Sequence, residues 1–290
     1  MLKHWLLASR PKTLVASLLP VVAGFLLAYE QAPNVSKVTG ILCLLYCLLI
    51  QIGTNFANDY FDFLKGADEK RENAPRRMVS SGLISPKFML LGTCLIFLLS
   101  FMVGVYLMES VQGSRYLLVV GVASILFGLG YTGGPFPLAY NGLGDLFVVV
   151  FFGFVAVLTT QYVITLSGDS DWQPNWILPL GVGLVINNLL VVNNYRDYEE
   201  DKQVGKRTIV VLLGRPAGLA LFSLGVLIST LLIPFLVPST WPTIFLLPLG
   251  IYAFLQLRKS MKGSDFSKVL SLCAVKVLLY AFLLMLGYLM

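Results

Sequence analysis

The sequence predicts an all-α polytopic membrane protein in which about nine transmembrane helices surround a central cavity. Hydrophobic residues make up 57% of the 290 residues and charged residues only 12%, whereas soluble domains carry about 25% charged residues. The mean hydropathy is +0.80. These values exclude an ordinary soluble domain, and successive apolar runs have the length of about 20 residues that a membrane-spanning helix needs.

Each apolar run is expected to be a helix, because lipid offers no partner to an unpaired backbone N–H or C=O group. The fourth run has the weakest pattern, since Gly121, Gly128 and Gly130 interrupt it. The runs lie at about 13–29, 38–57, 88–108, 115–131, 143–166, 176–195, 215–237, 241–257 and 268–289.

The distribution of Lys and Arg predicts the orientation. With nine spans, eighteen of the 21 basic residues lie on the side of the N-terminus, and only Lys37 and Arg115 lie on the other side. The remaining one, Lys276, lies inside the last run. Basic residues concentrate in cytoplasmic loops, so we expect a cytoplasmic N-terminus. The net charge of +6 is therefore a topology signal, and no nucleic-acid partner is expected.

Two polar stretches follow apolar runs on that cytoplasmic side. The first extends from Asn58 to Asp68 and the second from Asn193 to Thr208. Each contains Asp-x-x-x-Gly, at 62–66 and at 201–205. Solvated loop charges alone do not account for two matched stretches, so we interpret them as one functional site.

The stretches close the second and the sixth predicted spans, and a shift of four spans preserves the direction of the chain. We therefore predict one transmembrane domain, 1–290, that consists of two parallel four-helix repeats and a final helix. The halves would cover roughly 10–140 and 141–257, with the final helix at 268–289. Such repeats would bring the two stretches to face each other across the cavity.

Carboxylates at helical spacing repel one another unless a cation lies between them. Hard oxygen ligands favour Mg²⁺, which takes one or two carboxylates together with substrate phosphates. Basic side chains that follow the carboxylates of each stretch are typical partners of diphosphate oxygens. The predicted metal ligands are Asn58, Asp59, Asp62, Asp197 and Asp201, and the predicted diphosphate-binding residues are Lys65, Arg76, Arg77, Lys206 and Arg207.

At these residues the chain resembles the UbiA superfamily of intramembrane prenyltransferases. The two motifs of that family have the form N-D-x-x-D and D-x-x-x-D, and here they span 58–62 and 197–201. Many relatives carry a further Asp where this chain has Gly66, and the nearest acid here is Asp68. As a ligand, Asp68 is therefore a weaker candidate than Asp62. The stretches 10–13, 76–82, 131–135 and 193–208 are most similar to the branch that acts in menaquinone synthesis.

The resemblance implies a Mg²⁺-dependent transfer from polyprenyl diphosphate to 1,4-dihydroxy-2-naphthoate, which gives demethylmenaquinone, CO₂ and diphosphate. It implies a multi-pass protein of the bacterial inner membrane whose active site faces the cytoplasm. Asp62, Asp197, Asp201 and Tyr131 would be catalytic. The expected substrate-binding residues are Arg10, Asn55, Tyr131, Asn193, Asp68 and Asp145.

Two alternatives stay open on the sequence alone. Another acceptor, namely 4-hydroxybenzoate, homogentisate or haem, would use the same two motifs. A transporter would place its acidic residues near the middle of the bilayer, whereas these acids lie at the cytoplasmic ends of the spans, which favours an enzyme.

Overall fold

The computed structural model describes residues 2–67 and 77–290. Within these residues the chain is helical apart from connecting segments and one isolated bridge between Asn141 and Arg207. The nine long helices are α1 Pro11–Gln31, α2 Lys37–Leu64, α3 Pro86–Ser110, α4 Tyr116–Gly130, α5 Gly144–Leu166, α6 Leu178–Arg196, α7 Arg215–Leu236, α8 Pro238–Lys259 and α9 Gly263–Leu289.

All nine predicted runs are helices in the structure, so the all-α membrane architecture is confirmed. Eight helices of the described chain are long and apolar enough to cross a bilayer. The helix α4 has only 15 residues, so the predicted count of nine spans is not confirmed. Shorter helices lie outside the predicted runs, at Leu2–Ala8, Leu138–Tyr140, Tyr198–Gln203 and Ile209–Leu213.

Local sequence signals account for where two of these helices begin. The Ser36 side chain accepts a hydrogen bond from the Thr39 N–H at the start of α2, and Ser85 does the same for Phe88 at the start of α3. These caps satisfy N–H groups that the first helical turn cannot pair. Pro86 follows Ser85 in the first turn, where a missing N–H carries no cost.

The core of the bundle is centred on α6, which is the most deeply buried of the long helices. It packs against α5, α7 and α9, while α1 packs against α5 and α9, and α2 packs against α3. The approach of α5 to α6 requires glycine, because a Cβ at Gly153 would clash with the Pro179 carbonyl oxygen and one at Gly183 would lie 2.7 Å from the Val149 carbonyl oxygen.

A wide helical turn lies at the centre of α5. Residues Val149–Val155 form π-helix, and such turns occur frequently at functional sites. Phe151, Phe152 and Val155 of this segment line an internal cavity. The π-helical turn therefore forms part of the cavity wall.

Candidate active site

The first motif lies on the last turns of α2, which continues beyond the apolar run to Leu64. Asn58, Asp59 and Asp62 are all buried there. The Asp62 carboxylate accepts a hydrogen bond from the Tyr140 hydroxyl at 2.9 Å and lies 3.7 Å from the Arg77 guanidinium. Arg77, which was predicted to bind diphosphate, thus lies beside this carboxylate.

The glycine of each Asp-x-x-x-Gly sequence ends a helix. Gly66 and Gly205 have φ angles of 66° and 72°, which residues with a side chain rarely adopt. The Asp62 carbonyl accepts from the Ala67 N–H at 3.0 Å, and the Asp201 carbonyl accepts from the Lys206 N–H at 2.9 Å. The repeated spacing thus reflects the same glycine-dependent C-cap.

Asp59 has a different environment from Asp62. One carboxylate oxygen accepts from the Met78 N–H at 3.0 Å and the other from the Val79 N–H at 3.2 Å. Only 2% of Asp59 is exposed. In this structure the carboxylate therefore anchors the segment that carries Arg77.

The second motif crosses a break between helices. The helix α6 ends at Arg196, and a new helix begins at Tyr198. The Arg196 guanidinium donates to both oxygens of Asp197, at 2.6 and 2.9 Å. Asp201 pairs with the Lys206 ammonium at 3.2 Å. Both carboxylates are buried, so each needs the positive partner that the neighbouring sequence supplies.

The segment between α4 and α5 connects the two motifs. The Thr132 hydroxyl donates to the Asn58 side chain at 2.8 Å, and the Thr132 carbonyl accepts from the Lys65 ammonium. Tyr140 contacts Asp62 through its hydroxyl and accepts from the Arg207 N–H through its carbonyl, at 3.1 Å. Neither Thr132 nor Tyr140 was among the predicted site residues, because the sequence does not reveal the tertiary contacts that bring them to Asn58 and Asp62.

The Lys65 ammonium lies over the Tyr140 ring, 4.3 Å from its centroid, and burial is the main cause that lowers the pKa of Lys65. The charge of Asp62 acts in the opposite direction and raises this pKa. Lys206 lies 5.8 Å from the same ring centroid. Lysines that follow the two motifs thus meet at one tyrosine.

A cavity of about 290 Å³ lies beside the motifs and is lined by residues of α1 to α6 and the segments that adjoin them. One end is polar and the other is apolar, with Cys43, Leu107 and Leu117 among its lining residues. This division suits an amphipathic molecule with a polar head and a hydrocarbon tail. The polar end contains the predicted substrate-binding residues Arg10, Asn55, Tyr131 and Asn193, together with Asn58.

Arg10 enters this end of the cavity from a left-handed backbone conformation, with φ of 55°. It lies between the N-terminal helix and α1. The Asn55 side chain donates to the carbonyl of Ser9, the residue before Arg10, at 2.9 Å. This bond fixes the turn that directs Arg10 inward, so Asn55 both lines the cavity and supports its wall.

Tyr131 lies within electrostatic range of both motifs. Burial raises the pKa of its phenol well above the ordinary range, and the charge of Asp145 raises it further. The charges of Asp62 and Asp201 act in the same direction, whereas the charge of Arg10 lowers this pKa. A phenol that stays protonated in such a negative environment can donate a hydrogen bond.

Asp145 is buried behind Tyr131 and accepts a hydrogen bond from the Asn187 side chain at 3.1 Å. It opens α5, whereas Asn187 lies on α6. The structure places Asp145 outside the lining of the cavity described above. Asp68 and Arg76, which the sequence analysis also assigned to the site, lie outside the described residues.

The oxygen donors of the two motifs can be matched to the needs of a divalent metal. In the described part of the chain, no three His, Cys, Asp or Glu side chains form a metal site by themselves. Mg²⁺, however, binds through one or two carboxylates together with phosphates and water. The hard oxygens of Asn58 and Asp62 on one side and of Asp201 on the other fit a metal that binds together with a diphosphate.

The comparison with protein families matches residues 17–287 to a model described as the UbiA prenyltransferase family. A 1,4-dihydroxy-2-naphthoate octaprenyltransferase from Haemophilus influenzae is 38% identical over 223 residues, which are 75% of this chain and 71% of that protein. The enzyme of the same name from Mycobacterium leprae is 33% identical over 92% of this chain and 90% of its own length.

Solved structures share the fold. The apo structure of a UbiA homolog from Aeropyrum pernix has a TM-score of 0.73 at 17% identity, over 95% of this chain and 96% of that chain. A UbiA homolog from Archaeoglobus fulgidus, bound to GPP and Mg²⁺, has a TM-score of 0.63 at 18% identity, over 97% of this chain and 99% of that chain. At these identities the similarity establishes the architecture alone.

Proposed function

We propose that this chain, which belongs to the UbiA prenyltransferase family, transfers a polyprenyl chain to 1,4-dihydroxy-2-naphthoate. The observation that carries the proposal is that side chains from both motifs meet beside the polar end of a largely apolar cavity. The acceptor is proposed from the names of the relatives that are 33% and 38% identical.

The proposed substrate fits the two ends of the cavity. The hydrocarbon tail of the polyprenyl diphosphate would occupy the apolar part between α2, α3, α4 and α5. Its diphosphate would lie near Lys65, Arg77 and Lys206. Arg77 and Lys206 lie beside carboxylates of the motifs, and Lys65 lies over the Tyr140 ring. Arg76 and Arg207 are proposed to add positive charge to the same region.

A divalent metal, proposed to be Mg²⁺, would be held by Asn58, Asp62 and Asp201. When bound, it would neutralise charge on the diphosphate oxygens as the prenyl group departs. Asp59 and Asp197 are the other proposed ligands, and each would have to release the hydrogen bonds that it accepts in this structure. The lysines and arginines would stabilise the departing diphosphate directly.

The bond changes balance without an oxidant. The C1–O bond of the prenyl diphosphate breaks, and its electron pair leaves with the diphosphate. The ring carbon that bears the carboxylate forms the new bond to C1, and the carboxylate then leaves as CO₂ while the electrons of the broken C–C bond return to the ring. The immediate product is therefore the reduced, quinol form of demethylmenaquinone.

Residues at the polar end of the cavity are proposed to orient the acceptor. The Arg10 guanidinium would bind the naphthoate carboxylate, and Asn193 would bind a ring hydroxyl. Tyr131 would face the developing allylic cation with its ring, because an aromatic face attracts a positive charge. Asp145 would act from behind Tyr131, which it influences electrostatically. The apolar wall would exclude water that could quench the cation.

The Lys and Arg distribution supports a location in the bacterial inner membrane with the N-terminus and the site facing the cytoplasm. The first motif lies at the end of α2 and the second directly follows α6. The positions of these helices in the chain are consistent with two parallel repeats, roughly 10–140 and 141–257. This division of the domain is part of the proposal.

The test uses the full chain in lipid nanodiscs with labelled polyprenyl diphosphate and each of four acceptors: 1,4-dihydroxy-2-naphthoate, 4-hydroxybenzoate, homogentisate and haem. We expect prenylated product and CO₂ with the naphthoate when Mg²⁺ is present, and none after chelation of divalent metal. Transfer to one of the other acceptors instead would replace the proposed acceptor. Failure with all four acceptors would contradict the proposed reaction.

A further inference from the structure

Tyr140 combines contacts to both motifs in a way that the sequence pattern does not reveal. It lies in the segment between α4 and α5, which belongs to neither charged stretch. Its hydroxyl donates to Asp62 at 2.9 Å. The ammonium groups of Lys65 and Lys206 lie 4.3 and 5.8 Å from its ring centroid. One side chain thus contacts an acid and two cations.

The backbone around this tyrosine is held in place. The Tyr140 N–H donates to the Pro137 carbonyl at 3.0 Å, and the Asn141 side chain donates to the same carbonyl at 2.7 Å. Gly142 then turns the chain with φ of 75°. The Arg207 N–H, which immediately follows Lys206, donates to the Tyr140 carbonyl. The ring therefore has a defined position relative to the second motif.

Electrostatics explains why a tyrosine suits this place. Two ammonium groups that converge on one diphosphate repel each other before the substrate binds. Lys206 also pairs with the Asp201 carboxylate at 3.2 Å. The aromatic face, within about 6 Å of both ammonium groups, adds an attraction that competes less strongly with a phosphate for these cations than a second carboxylate would. The hydroxyl meanwhile fixes the orientation of a carboxylate that a metal could bind, which is the usual role of a partner behind a metal ligand.

We propose that Tyr140 is a positioning residue: its ring holds Lys65 and Lys206 ready for one diphosphate, and its hydroxyl orients Asp62. This inference rests on the proposed prenyl transfer, and it adds a residue that links the two motifs. It assigns the two parts of one side chain to two separate steps, which are diphosphate binding and metal binding.

Two variants separate these steps. Tyr140→Phe keeps the ring and removes the hydrogen bond to Asp62, so the half-saturating Mg²⁺ concentration should rise about tenfold while the KM for polyprenyl diphosphate changes little. Tyr140→Leu also removes both cation–π contacts, so this KM should rise roughly fivefold to thirtyfold. The KM for the acceptor should stay the same in both variants.

The control is Tyr60→Phe, which removes the hydroxyl of a different tyrosine, one that lies between Asp59 and Asp62. The Tyr60 ring packs against the apolar cluster that contains Phe56 and Met89. The half-saturating Mg²⁺ concentration of this variant and its KM for polyprenyl diphosphate should therefore match those of the wild type. All variants are compared as full chains in nanodiscs, and thermal unfolding reports their folding. If Tyr140→Leu does not fold, the metal dependence of Tyr140→Phe decides alone.

A wild-type metal dependence in Tyr140→Phe overturns the proposal. So does a wild-type KM for polyprenyl diphosphate in folded Tyr140→Leu, or an equal rise in the KM of both substrates, which a purely structural role would produce. These outcomes differ from failure of the proposed function, because that failure appears in the wild-type chain. Activity with a different acceptor leaves the test valid, since it concerns only the diphosphate and the metal.

Discussion

The substitution Asp59→Asn tests whether the Asp59 carboxylate anchors the segment that carries Arg77 or binds the metal. Both oxygens of the buried Asp59 side chain accept backbone N–H groups, from Met78 and Val79. An asparagine offers one oxygen and one NH₂ group, so one of the two N–H donors would face another donor. The substitution leaves the size of the side chain almost unchanged, and the expected loss therefore comes from hydrogen bonding and charge.

The magnitude follows from these contacts. A buried donor without a partner costs about 1–3 kcal/mol, and hydrogen bonds to charged groups contribute about 1.5–3 kcal/mol. We therefore expect Asp59→Asn to lower the free energy of unfolding by about 2–3 kcal/mol. For a chain of this size, that corresponds to a decrease in Tm of roughly 5 °C. Because the anchored segment carries Arg77, the KM for polyprenyl diphosphate should rise as well.

The assay is thermal unfolding in detergent, combined with initial rates in nanodiscs. Asp171→Asn is the matched control, since Asp171 is exposed and lies on the segment between α5 and α6, and we expect it to retain the wild-type Tm and KM. An Asp59→Asn protein with an unchanged Tm and no turnover would refute the anchoring role. It would favour direct metal binding by Asp59.

Three further substitutions test other parts of the site. Asp62→Asn keeps a hydrogen-bond acceptor for Tyr140 but loses the charge, so kcat should fall by about 10²–10³, and a rate near the wild type would remove Asp62 from catalysis. Burial lowers the pKa of Lys65, so the wild-type KM for polyprenyl diphosphate should rise as alkaline pH deprotonates this lysine. Lys65→Arg, which stays charged, should flatten that rise in a pH series. Gly153→Ala should lower the free energy of unfolding by about 1–3 kcal/mol, because its Cβ meets the Pro179 carbonyl. Gly130→Ala, where no atom lies within 4 Å of the added Cβ, should leave the Tm unchanged or raise it slightly. Equal Tm values for both variants would contradict the packing argument.

Much of the fold could be predicted from the sequence because lipid imposes a strong constraint. An apolar run in a bilayer must be helical, and the run predicted at 143–166 is the helix Gly144–Leu166. The same constraint does not determine helix length near glycines. The run predicted at 115–131 forms the helix Tyr116–Gly130, which is shorter than the other eight.

The charged stretches predicted where a site would lie, but they did not predict the partner of each charge. The spacing in the first stretch correctly placed Asn58, Asp59 and Asp62 on one helix. The spacing in the second indicated a continuous helix face, whereas the structure has a break at Asp197. The contacts of Tyr140 could not be predicted from the pattern, because they depend on a loop that tertiary packing brings to both motifs.

The most direct test of the account is the position of metal and diphosphate in a crystal of the full chain with Mn²⁺ and an unreactive polyprenyl thiodiphosphate. Mn²⁺ replaces Mg²⁺ and can be identified by its anomalous scattering. The account predicts metal at about 2.0–2.2 Å from carboxylate oxygens of Asp62 and Asp201, with both motifs bound to the same diphosphate and the tail in the apolar part of the cavity. Metal at one motif only, or a diphosphate that contacts neither Asp62 nor Asp201, would contradict it.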